Sequence, residues 1–392
     1  MSDTEKNSSL FRTAPLLAAA VLCAFFAGCT RGGDSSTDGA QVTDSPHSAT
    51  APAASAGHPA GAASGEGQPM WTNFQLNTSV HALAFKGGEV WVGTEGGLLR
   101  YDLAAEAVVA RYDSGSGLRS DNVMVLEHAP DGGMWVGTHG GGLTHISDTG
   151  RWTTHSVPDL GDPFVYQVAA DVNGNGYWVA TWSGLSHFDG RTWRTYTEAD
   201  GLVDDWVYAM VQDADGTLWL GTEGGVSAFN GKTWRTWTHA EGLGAGREQI
   251  GAYEVLGNPS RHHRETPGKS AEGYNPNYVL SAAIDAAGDH WFGTWGAGLS
   301  RFDGEHWQTW TVADGLGGNY VTDLYADADG TVWATTEGGV SRFGDGRWST
   351  LTEAEGLVSN AVFSVTVDAR GRKWFGAMGG ISRLDGFERG TI

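Results

Sequence analysis

Short apolar runs separated by glycine-rich turns recur along most of the chain. One clear unit has such runs over residues 207–212, 218–222, 225–229 and 233–238. Each run is five or six residues long, is rich in β-branched and aromatic residues, and is bounded by a turn signal. Asp215-Gly216 and Asn230-Gly231 stand at two of these turns, where glycine supplies the positive φ that a tight reversal needs. The pattern predicts four short antiparallel strands per unit.

The second run of this unit carries a phrase that recurs along the chain. Its copies begin at Trp91, Trp135, Trp178, Trp219, Trp291, Trp333 and Trp374, at intervals of 44, 43, 41, 72, 42 and 41 residues. A period in the low forties with four strands per unit is typical of β-propeller blades and not of helical or leucine-rich solenoids. The sequence therefore predicts an all-β fold of four-stranded blades.

The seventh unit predicts only three strands, over residues 361–368, 373–378 and 381–385. The segment Trp71-Thr-Asn-Phe74 matches the outer-strand phrase Trp193-Arg-Thr-Tyr196. We therefore expect the N-terminal strand to complete the last blade, which closes the ring and removes two free sheet edges. The predicted domain is a seven-bladed β-propeller over residues 70–392.

The first 28 residues have the order of a secretory signal. Lys6 and Arg12 precede a mostly apolar run over residues 14–27, which is too short to span a bilayer stably. The segment Phe26-Ala27-Gly28-Cys29 resembles the bacterial lipoprotein box, which implies cleavage before Cys29 and acylation of its thiol, for example with palmitate. The alternative is an ordinary signal that is cut at a small residue.

Cys29 would then be a lipid-anchored N-terminus, followed by a disordered tether over residues 29–69. The tether is rich in Gly, Ser, Ala, Thr and Pro and shows no apolar period. Thr30 follows the cysteine in place of Asp, which favours the outer membrane of the bacterial envelope. Cys23 lies in the predicted signal, so we expect no disulfide within the mature chain.

Charge excludes some classes of partner. The formal net charge is -22, which argues against binding to nucleic acid or to anionic lipid headgroups because these carry the same sign. Neutral or cationic partners fit better: a small molecule or saccharide, or another envelope protein.

The repeat also resembles a known family. The phrase Trp-(Val/Phe)-Gly-Thr-x-Gly-Gly-Leu-Ser-Arg-Phe-Asp-Gly, followed by Trp-x-Thr-(Tyr/Trp)-Thr and Asp-Gly-Leu, is similar to the two-component regulator propeller repeat over residues 71–386. Repeats of that family commonly form periplasmic ligand-sensing regions of hybrid histidine kinases, and some recognise oligosaccharides. The resemblance implies a ligand-sensing propeller. Since the sequence shows no second membrane span and no kinase or receiver region, we do not expect it to signal by its own catalysis.

Candidate site residues lie in the loops of one predicted face. The connection from second to third strand holds one residue that varies between blades while its neighbours repeat, which marks either a ligand contact or an unconstrained loop residue. These candidates are Glu95, His139, Trp182, Glu223, Trp295, Glu337 and Met378. The blade-to-blade loops add Asn122, Trp206, Tyr320 and Asn360. Aromatic faces beside carboxylates and amides suit sugars, because the rings stack and the polar groups bond to hydroxyls.

The 72-residue interval contains an insertion over residues 244–277, between blades four and five. It concentrates positive charge in an acidic chain, as in Arg261-His-His-Arg264. A lid or a partner-docking loop is one interpretation, and an unstructured insertion is the other.

Catalysis and metal binding find little support in the sequence. Glu95, Glu223 and Glu337 lie on separate blades, and paired carboxylates for glycoside chemistry need short separations. The Asp171-Val-Asn173-Gly-Asn175 segment matches the first half of a calcium loop, but a tryptophan stands where the bidentate Glu is required, so a turn is expected and calcium remains open. No other metal or cofactor is expected.

Three functions therefore follow in order. The first is a noncatalytic binding or sensor lipoprotein whose ligand, a saccharide for example, binds on the loop-bearing face. The second is a protein-interaction scaffold in an envelope assembly. The third is a propeller lyase similar to streptogramin lyase.

Overall fold

The computed structural model describes residues 70–172, 176–250 and 274–386. These residues form seven separate sheets of four antiparallel strands each, and in six of them all the neighbouring strands are consecutive along the chain. The prediction of an all-β, seven-bladed propeller is confirmed. No helix in the described ranges is long and apolar enough to cross a membrane.

The strands are numbered in chain order, and β1 is Met70–Gln75. Blade one is β2 Val80–Lys86, β3 Glu89–Thr94, β4 Gly97–Asp102 and β5 Ala107–Tyr112. Blade two is β6 Val123–His128, β7 Met134–Thr138, β8 Gly142–Ile146 and β9 Trp152–His155. Blade three is β10 Val165–Ala170, β11 Tyr177–Thr181, β12 Gly184–Phe188 and β13 Trp193–Tyr196. Blade four is β14 Val207–Gln212, β15 Leu218–Thr222, β16 Val226–Phe229 and β17 Trp234–Trp237.

Blade five is β18 Val279–Ile284, β19 His290–Thr294, β20 Leu299–Phe302 and β21 Trp307–Trp310. Blade six is β22 Val321–Ala326, β23 Val332–Thr336, β24 Gly339–Gly344 and β25 Arg347–Leu351. Blade seven is β26 Val362–Val367, β27 Lys373–Ala377 and β28 Gly380–Asp385, completed by β1. A short helix, α1, spans Arg247–Ile250, and single 3-10 turns span Glu198–Asp200, His239–Glu241 and Val312–Asp314.

The N-terminal strand closes the ring as the sequence predicts. Strand β1 pairs antiparallel with β28, from Met70 opposite Asp385 to Gln75 opposite Gly380. Trp71 also packs on Gly356 of the preceding blade, since a Cβ atom there would lie 2.9 Å from the Trp71 Cγ atom. Gly201 and Gly242 meet the outer-strand tryptophans of blades four and five in the same way. Strand β1 therefore takes the place of an ordinary outer strand.

The repeated residues are explained by packing between blades. Each innermost strand begins with a valine that is 0% exposed, such as Val165 or Val279. In five of the seven blades, the valine packs on a glycine of the preceding blade's second strand: a Cβ atom on Gly221 would lie 3.0 Å from the Val279 Cβ atom. The threonine that follows donates its hydroxyl proton to the tight turn, as from Thr222 Oγ1 to Gly225 O at 2.9 Å. These repeated positions therefore maintain the fold.

A β-bulge follows the same valine in every blade. In all seven blades the register of the first two strands shifts directly after the valine, so that the next residue bulges out of the ladder. The bulged residues are His81, Met124, Tyr166, Tyr208, Leu280, Thr322 and Phe363. All seven line one cavity of about 270 Å³, which the seven innermost strands enclose. The repeat thus directs one variable side chain per blade toward the axis.

Candidate functional site

Three variable positions of each blade meet at one end of the axial cavity. They are the residue before the inner-strand valine, the bulged residue after it, and the residue after the threonine of the second strand. In blades two, four, five and seven the backbone N–H of the third position donates to the carbonyl of the first, as from His139 to Asn122 at 2.9 Å and from Trp295 to Tyr278 at 2.8 Å. We call this ring of positions the mouth. The two sets of loops singled out in the sequence therefore do share one face.

Blades three and four carry a stack of three rings in the mouth. Phe164 stacks on Trp182 with centroids 4.4 Å apart and planes 12° apart. Trp182 in turn stacks on Trp206 at 5.0 Å and 15°. Offset stacks of this kind add about 0.5–1.5 kcal/mol per pair beyond the area that they bury. Trp182 is thus an internal member of a stack and not an isolated platform.

A second chain of rings continues around the axis into blade six. Tyr166 contacts Tyr208 at 4.7 Å, and Tyr208 contacts Tyr278 at 4.9 Å. Tyr278 stacks on Trp295 at 5.8 Å, and Trp295 meets Tyr320 edge-on at 5.1 Å. We call the two chains of rings together the aromatic sector. Except for Phe164, its rings belong to one hydrophobic cluster that Met378 of blade seven also joins.

Blades one and two face the aromatic sector with polar groups instead. Asn122 Nδ2 lies 3.3 Å from His139 Nδ1, and both His81 and His139 are buried. Burial lowers the pKa of His139 to about 4, and burial together with the nearby His139 lowers the pKa of His81 to about 3. Both imidazoles are therefore neutral at pH 7. We call these three residues the polar sector.

The three predicted glutamates of the mouth have different surroundings. Glu95 is exposed, whereas Glu223 and Glu337 are buried. Glu337 accepts hydrogen bonds from the backbone N–H groups of Asn319 and Tyr320, each at 3.1 Å. Burial raises the pKa of Glu337 to about 8 despite these bonds. The structure does not bring the three carboxylates together.

Glu337 takes over a bond that a different residue makes in other blades. The backbone N–H of the first mouth position is accepted by Asp204 Oδ1 in blade four and by Ser359 Oγ in blade seven, both three residues before the valine. Blade six has Gly318 at that position, and a Cβ atom there would overlap the carboxylate of Glu337. The Glu337 carboxylate therefore fills the space that glycine leaves open.

Asn360 has a comparable structural bond. Its Oδ1 atom accepts from the backbone N–H of Glu353 at 2.7 Å, as Asn319 Oδ1 accepts from Val312 at 3.0 Å. The bond ties each blade-to-blade loop to the end of the preceding outer strand. The structure thus places Asn360 within its loop, one residue away from the mouth position of blade seven.

The sequence analysis missed several residues of the mouth. Phe164 and Tyr278 occupy the position that it used for Trp206 and Tyr320, directly before the inner-strand valine, so the same rule would have found them. The bulged residues were missed altogether. Their signal was the variable residue directly after each valine.

The described ends of the insertion lie beside the mouth. Tyr274 donates its hydroxyl proton to the carbonyl of Ala245, and both residues pack with Ile250 and with Ala297 of blade five. Asn275 Nδ2 donates to the carbonyl of Glu223 at 2.8 Å. The two ends of the insertion are therefore adjacent and join the mouth at blades four and five.

The remaining predictions fall partly outside the described residues. Cys29, Asn173 and Asn175 lie outside them. Asp171 Oδ2 lies 2.9 Å from His187 Nε2, and no group of three or more His, Cys, Asp or Glu side chains in the described ranges could hold a metal ion.

A family model described as two-component regulator propeller matches residues 201–224 and 315–338. These segments are two-component regulator propeller repeats. The resemblance stated from the sequence is confirmed there. Each matched repeat holds one full set of the three mouth positions, with Trp206, Tyr208 and Glu223 in the first.

Solved structures share the propeller. The extracellular domain of BT3049 from B. thetaiotaomicron, described as a hybrid two-component system, is 21% identical, with a TM-score of 0.65 over 81% of this chain and 41% of that one. Virginiamycin B lyase from Staphylococcus aureus is 13% identical, with a TM-score of 0.59 over 82% and 100%. PorZ, a surface component of the type-IX secretion system of Porphyromonas gingivalis, is 14% identical, with a TM-score of 0.51 over 82% and 39%. This chain thus spans about two fifths of the BT3049 domain. No curated protein matches the chain in sequence.

Proposed function

We propose that this chain is a noncatalytic binding or sensor module of the bacterial envelope whose ligand binds at the mouth. One observation carries the proposal: the scaffold positions repeat, whereas the positions that the scaffold leaves variable converge around the axis and hold a continuous set of rings in blades three to six. Concave sites that combine aromatic faces with a few polar groups are typical of small-molecule recognition.

A saccharide is the ligand class that we propose. The mouth offers rings on one side and neutral imidazole and amide groups on the other, in His139 and Asn122. Sugars need both, because their C–H faces pack on rings while their hydroxyls form hydrogen bonds. The two-component regulator propeller repeats and the likeness to an extracellular domain support a sensing role outside the cytoplasm.

The test is binding of a panel of neutral oligosaccharides, namely glucans, xylans and mannans, by calorimetry. Trp206→Ala and Trp182→Ala, which remove half-buried rings of the mouth, are expected to abolish binding of any member that the wild type binds. Trp193→Ala is the matched control, because Trp193 is a half-buried tryptophan of an outer strand that packs on Tyr177 and Phe188. It should lower stability and leave affinity unchanged. The saccharide proposal is refuted if no member binds the wild type, or if the mouth variants bind as tightly as the control.

Lipid anchoring through Cys29 is part of the same proposal. Labelling of growing cells with an alkyne fatty acid should tag the wild-type chain and leave Cys29→Ala untagged, and the tagged chain should fractionate with the outer membrane. Labelling of both proteins, or of neither, would contradict the anchor.

The second candidate is a scaffold that docks a partner through the insertion. It is favoured by the position of the insertion ends, which are adjacent and lie beside the mouth. Replacement of residues 251–273 by a short Gly-Ser linker keeps the buried Ile250 and Tyr274 in place. Loss of a partner that rebinds the purified wild-type chain would support this candidate. For the lyase alternative, we expect no turnover of virginiamycin B.

A further inference from the structure

The polar sector meets the aromatic sector at His139. The imidazole is 6% exposed and belongs to the third mouth position of blade two. Its ring centroid lies 4.8 Å from that of Tyr166, 5.6 Å from that of Phe164 and 6.3 Å from that of Trp182. Each of these three rings is only half-buried. His139 therefore places hydrogen-bonding atoms beside partly exposed rings of blade three.

The bond to Asn122 decides which imidazole nitrogen carries the proton. Asn122 Nδ2 lies 3.3 Å from His139 Nδ1. An amide nitrogen only donates, so Nδ1 accepts and carries no proton. Burial lowers the pKa of His139 to about 4, so the ring is neutral at pH 7. Its single proton is therefore on Nε2.

The orientation of the Asn122 amide has support from its other side. Burial lowers the pKa of His81, His139 lowers it further, and hydrogen bonding with Val123 and Asn122 offsets part of the decrease. The pKa of an imidazole rises beside an acceptor, because an acceptor favours the protonated form. The amide oxygen of Asn122 therefore faces His81, and the amide nitrogen faces His139.

The Nε2–H group of His139 is a buried donor that lacks an acceptor. The Nε2 atom is buried and forms no hydrogen bond within the residues that the structure describes. An unsatisfied buried donor is costly, so a ligand that supplies an acceptor there gains binding free energy.

The surroundings of this donor favour a neutral carbonyl group as the acceptor. A carboxylate would lose its hydration and find no positive charge on the imidazole, and the net charge of -22 opposes its approach. A hydroxyl would bring a proton of its own, and neither Phe164 nor Trp182 has an atom that accepts one. A carbonyl oxygen brings no proton, and a methyl group next to it would pack on the two rings.

We propose that the ligand of the mouth is a saccharide with an acetamido group, whose carbonyl oxygen accepts from His139 Nε2–H and whose methyl group packs beside Phe164 and Trp182. This rests on the proposed function, because it uses the same site and names the substituent of the sugar. The junction of the polar and aromatic sectors then determines specificity.

The experiment compares the binding of chitotriose and cellotriose to the full chain by calorimetry. The two trisaccharides share their backbone and linkage, and they differ in one substituent per sugar, which is acetamido in the first and hydroxyl in the second. We expect chitotriose to bind about tenfold more tightly, because it adds a hydrogen bond and a packed methyl group. Equal affinity for the two, or no binding of chitotriose, would overturn the proposal.

His139→Phe keeps a ring in place and removes the donor, so it should lose most of this preference. His155→Phe is the matched control. His155 lies on the outer strand of blade two, where it packs on Trp193 and its Nδ1 atom is 3.0 Å from Asp159 Oδ2. The control should retain the preference. A preference that survives in His139→Phe would also overturn the proposal.

A measurement on the wild-type chain keeps the test decisive if His139→Phe does not fold. Nitrogen NMR of imidazole side chains distinguishes the two neutral tautomers, and we expect His139 to carry its proton on Nε2. Addition of chitotriose should shift the Nε2–H resonance of His139, whereas cellotriose should not. A proton on Nδ1, or an equal shift with both trisaccharides, would contradict the proposal.

The outcome is separable from that of the proposed function. If glucans bind and are lost in Trp206→Ala while chitotriose shows no preference, the binding module stands and the acetamido inference fails. If neither the neutral panel nor the two trisaccharides bind, the saccharide function itself fails. A tenfold preference for chitotriose over cellotriose that His139→Phe removes supports both.

Discussion

The Glu337 carboxylate occupies the space of the side chain that Gly318 lacks, so the two positions should be coupled energetically. Glu337→Ala removes the acceptor of two backbone N–H groups, those of Asn319 and Tyr320, and both residues are buried. An unsatisfied buried donor costs about 1–3 kcal/mol. Removal of the carboxyl group also relieves its own burial, which is what raises its pKa to about 8. We expect a net loss of about 2–4 kcal/mol of the free energy of unfolding.

Gly318→Ser should also destabilise the protein when made alone. The new Cβ atom would overlap the Glu337 carboxylate, and overpacking of this kind costs about 1–3 kcal/mol. The backbone itself is not the obstacle, because Gly318 is not among the residues with positive φ. The cost should therefore disappear once the carboxylate is gone.

The double variant tests this reasoning. With alanine at position 337, the new serine hydroxyl can accept from the Tyr320 N–H, as Ser359 Oγ accepts from Ala361 N at 3.2 Å in blade seven. The double variant should be more stable than either single variant, with a coupling energy on the order of 3 kcal/mol. The assay is urea unfolding followed by tryptophan fluorescence, with Glu95→Ala as the exposed control at the same repeat position. If the loss of stability in the double variant equals the sum of the two single losses, a serine hydroxyl at position 318 does not replace the Glu337 carboxylate as the hydrogen-bond acceptor, and the reasoning is refuted.

Three further predictions follow from the scaffold and the polar sector. Trp71→Ala should cost about 3–5 kcal/mol, measured by urea unfolding, because Trp71 fixes the closing strand; a loss below about 1 kcal/mol would contradict that role. Gly221→Ala should lower the unfolding midpoint strongly, since its Cβ atom would meet the valine of the next blade, whereas Gly88→Ala, with nothing within 4 Å, should not. The folded pKa values of His81 and His139 are about 3 and about 4, below the unfolded value of 6.5. The unfolded chain therefore takes up protons first, and stability should fall as the pH drops from 6.5 through these values. In His139→Asn the decrease in the free energy of unfolding at acidic pH should be smaller by on the order of 3 kcal/mol. An unchanged decrease would show that other groups cause the pH dependence.

The fold could be predicted because each blade repeats its packing. The glycine before Thr222 packs directly on Val279 of the next blade, which leaves little room for a side chain. The same contact recurs in five of the seven blades and makes the period visible in one sequence, although Ala180 and Thr335 stand at this position in blades three and six. Trp71 could be matched to an outer strand for the same reason, since its partner Gly356 has the same surroundings as Gly201 and Gly242.

The roles within the candidate site could be predicted only in part. The positions that vary between blades identified the loops of the mouth. Variation alone did not show whether a side chain is free to contact a ligand or makes a structural bond that another residue makes in other blades. Glu337 is of the second kind, and this becomes visible only when Gly318 is placed against it. Variability also gave no sign that Trp295 is buried: it is 4% exposed and packs on Tyr278 and Tyr320, so its replacement by alanine should cost stability as well as any affinity.

The order of the blades explains how one repeat can build a candidate site that is polar on one side and aromatic on the other. Because every blade contributes three positions to the mouth, a change of side chain in one blade alters one segment of the ring. The polar residues occupy the adjacent blades one and two, and the rings occupy the consecutive blades three to six, so each chemistry forms a continuous arc. The ligand that we propose would, if centred on the axis, contact both arcs in a fixed orientation. Specificity would arise from the sequence of blades around the ring, which is why no single repeat contains the whole site.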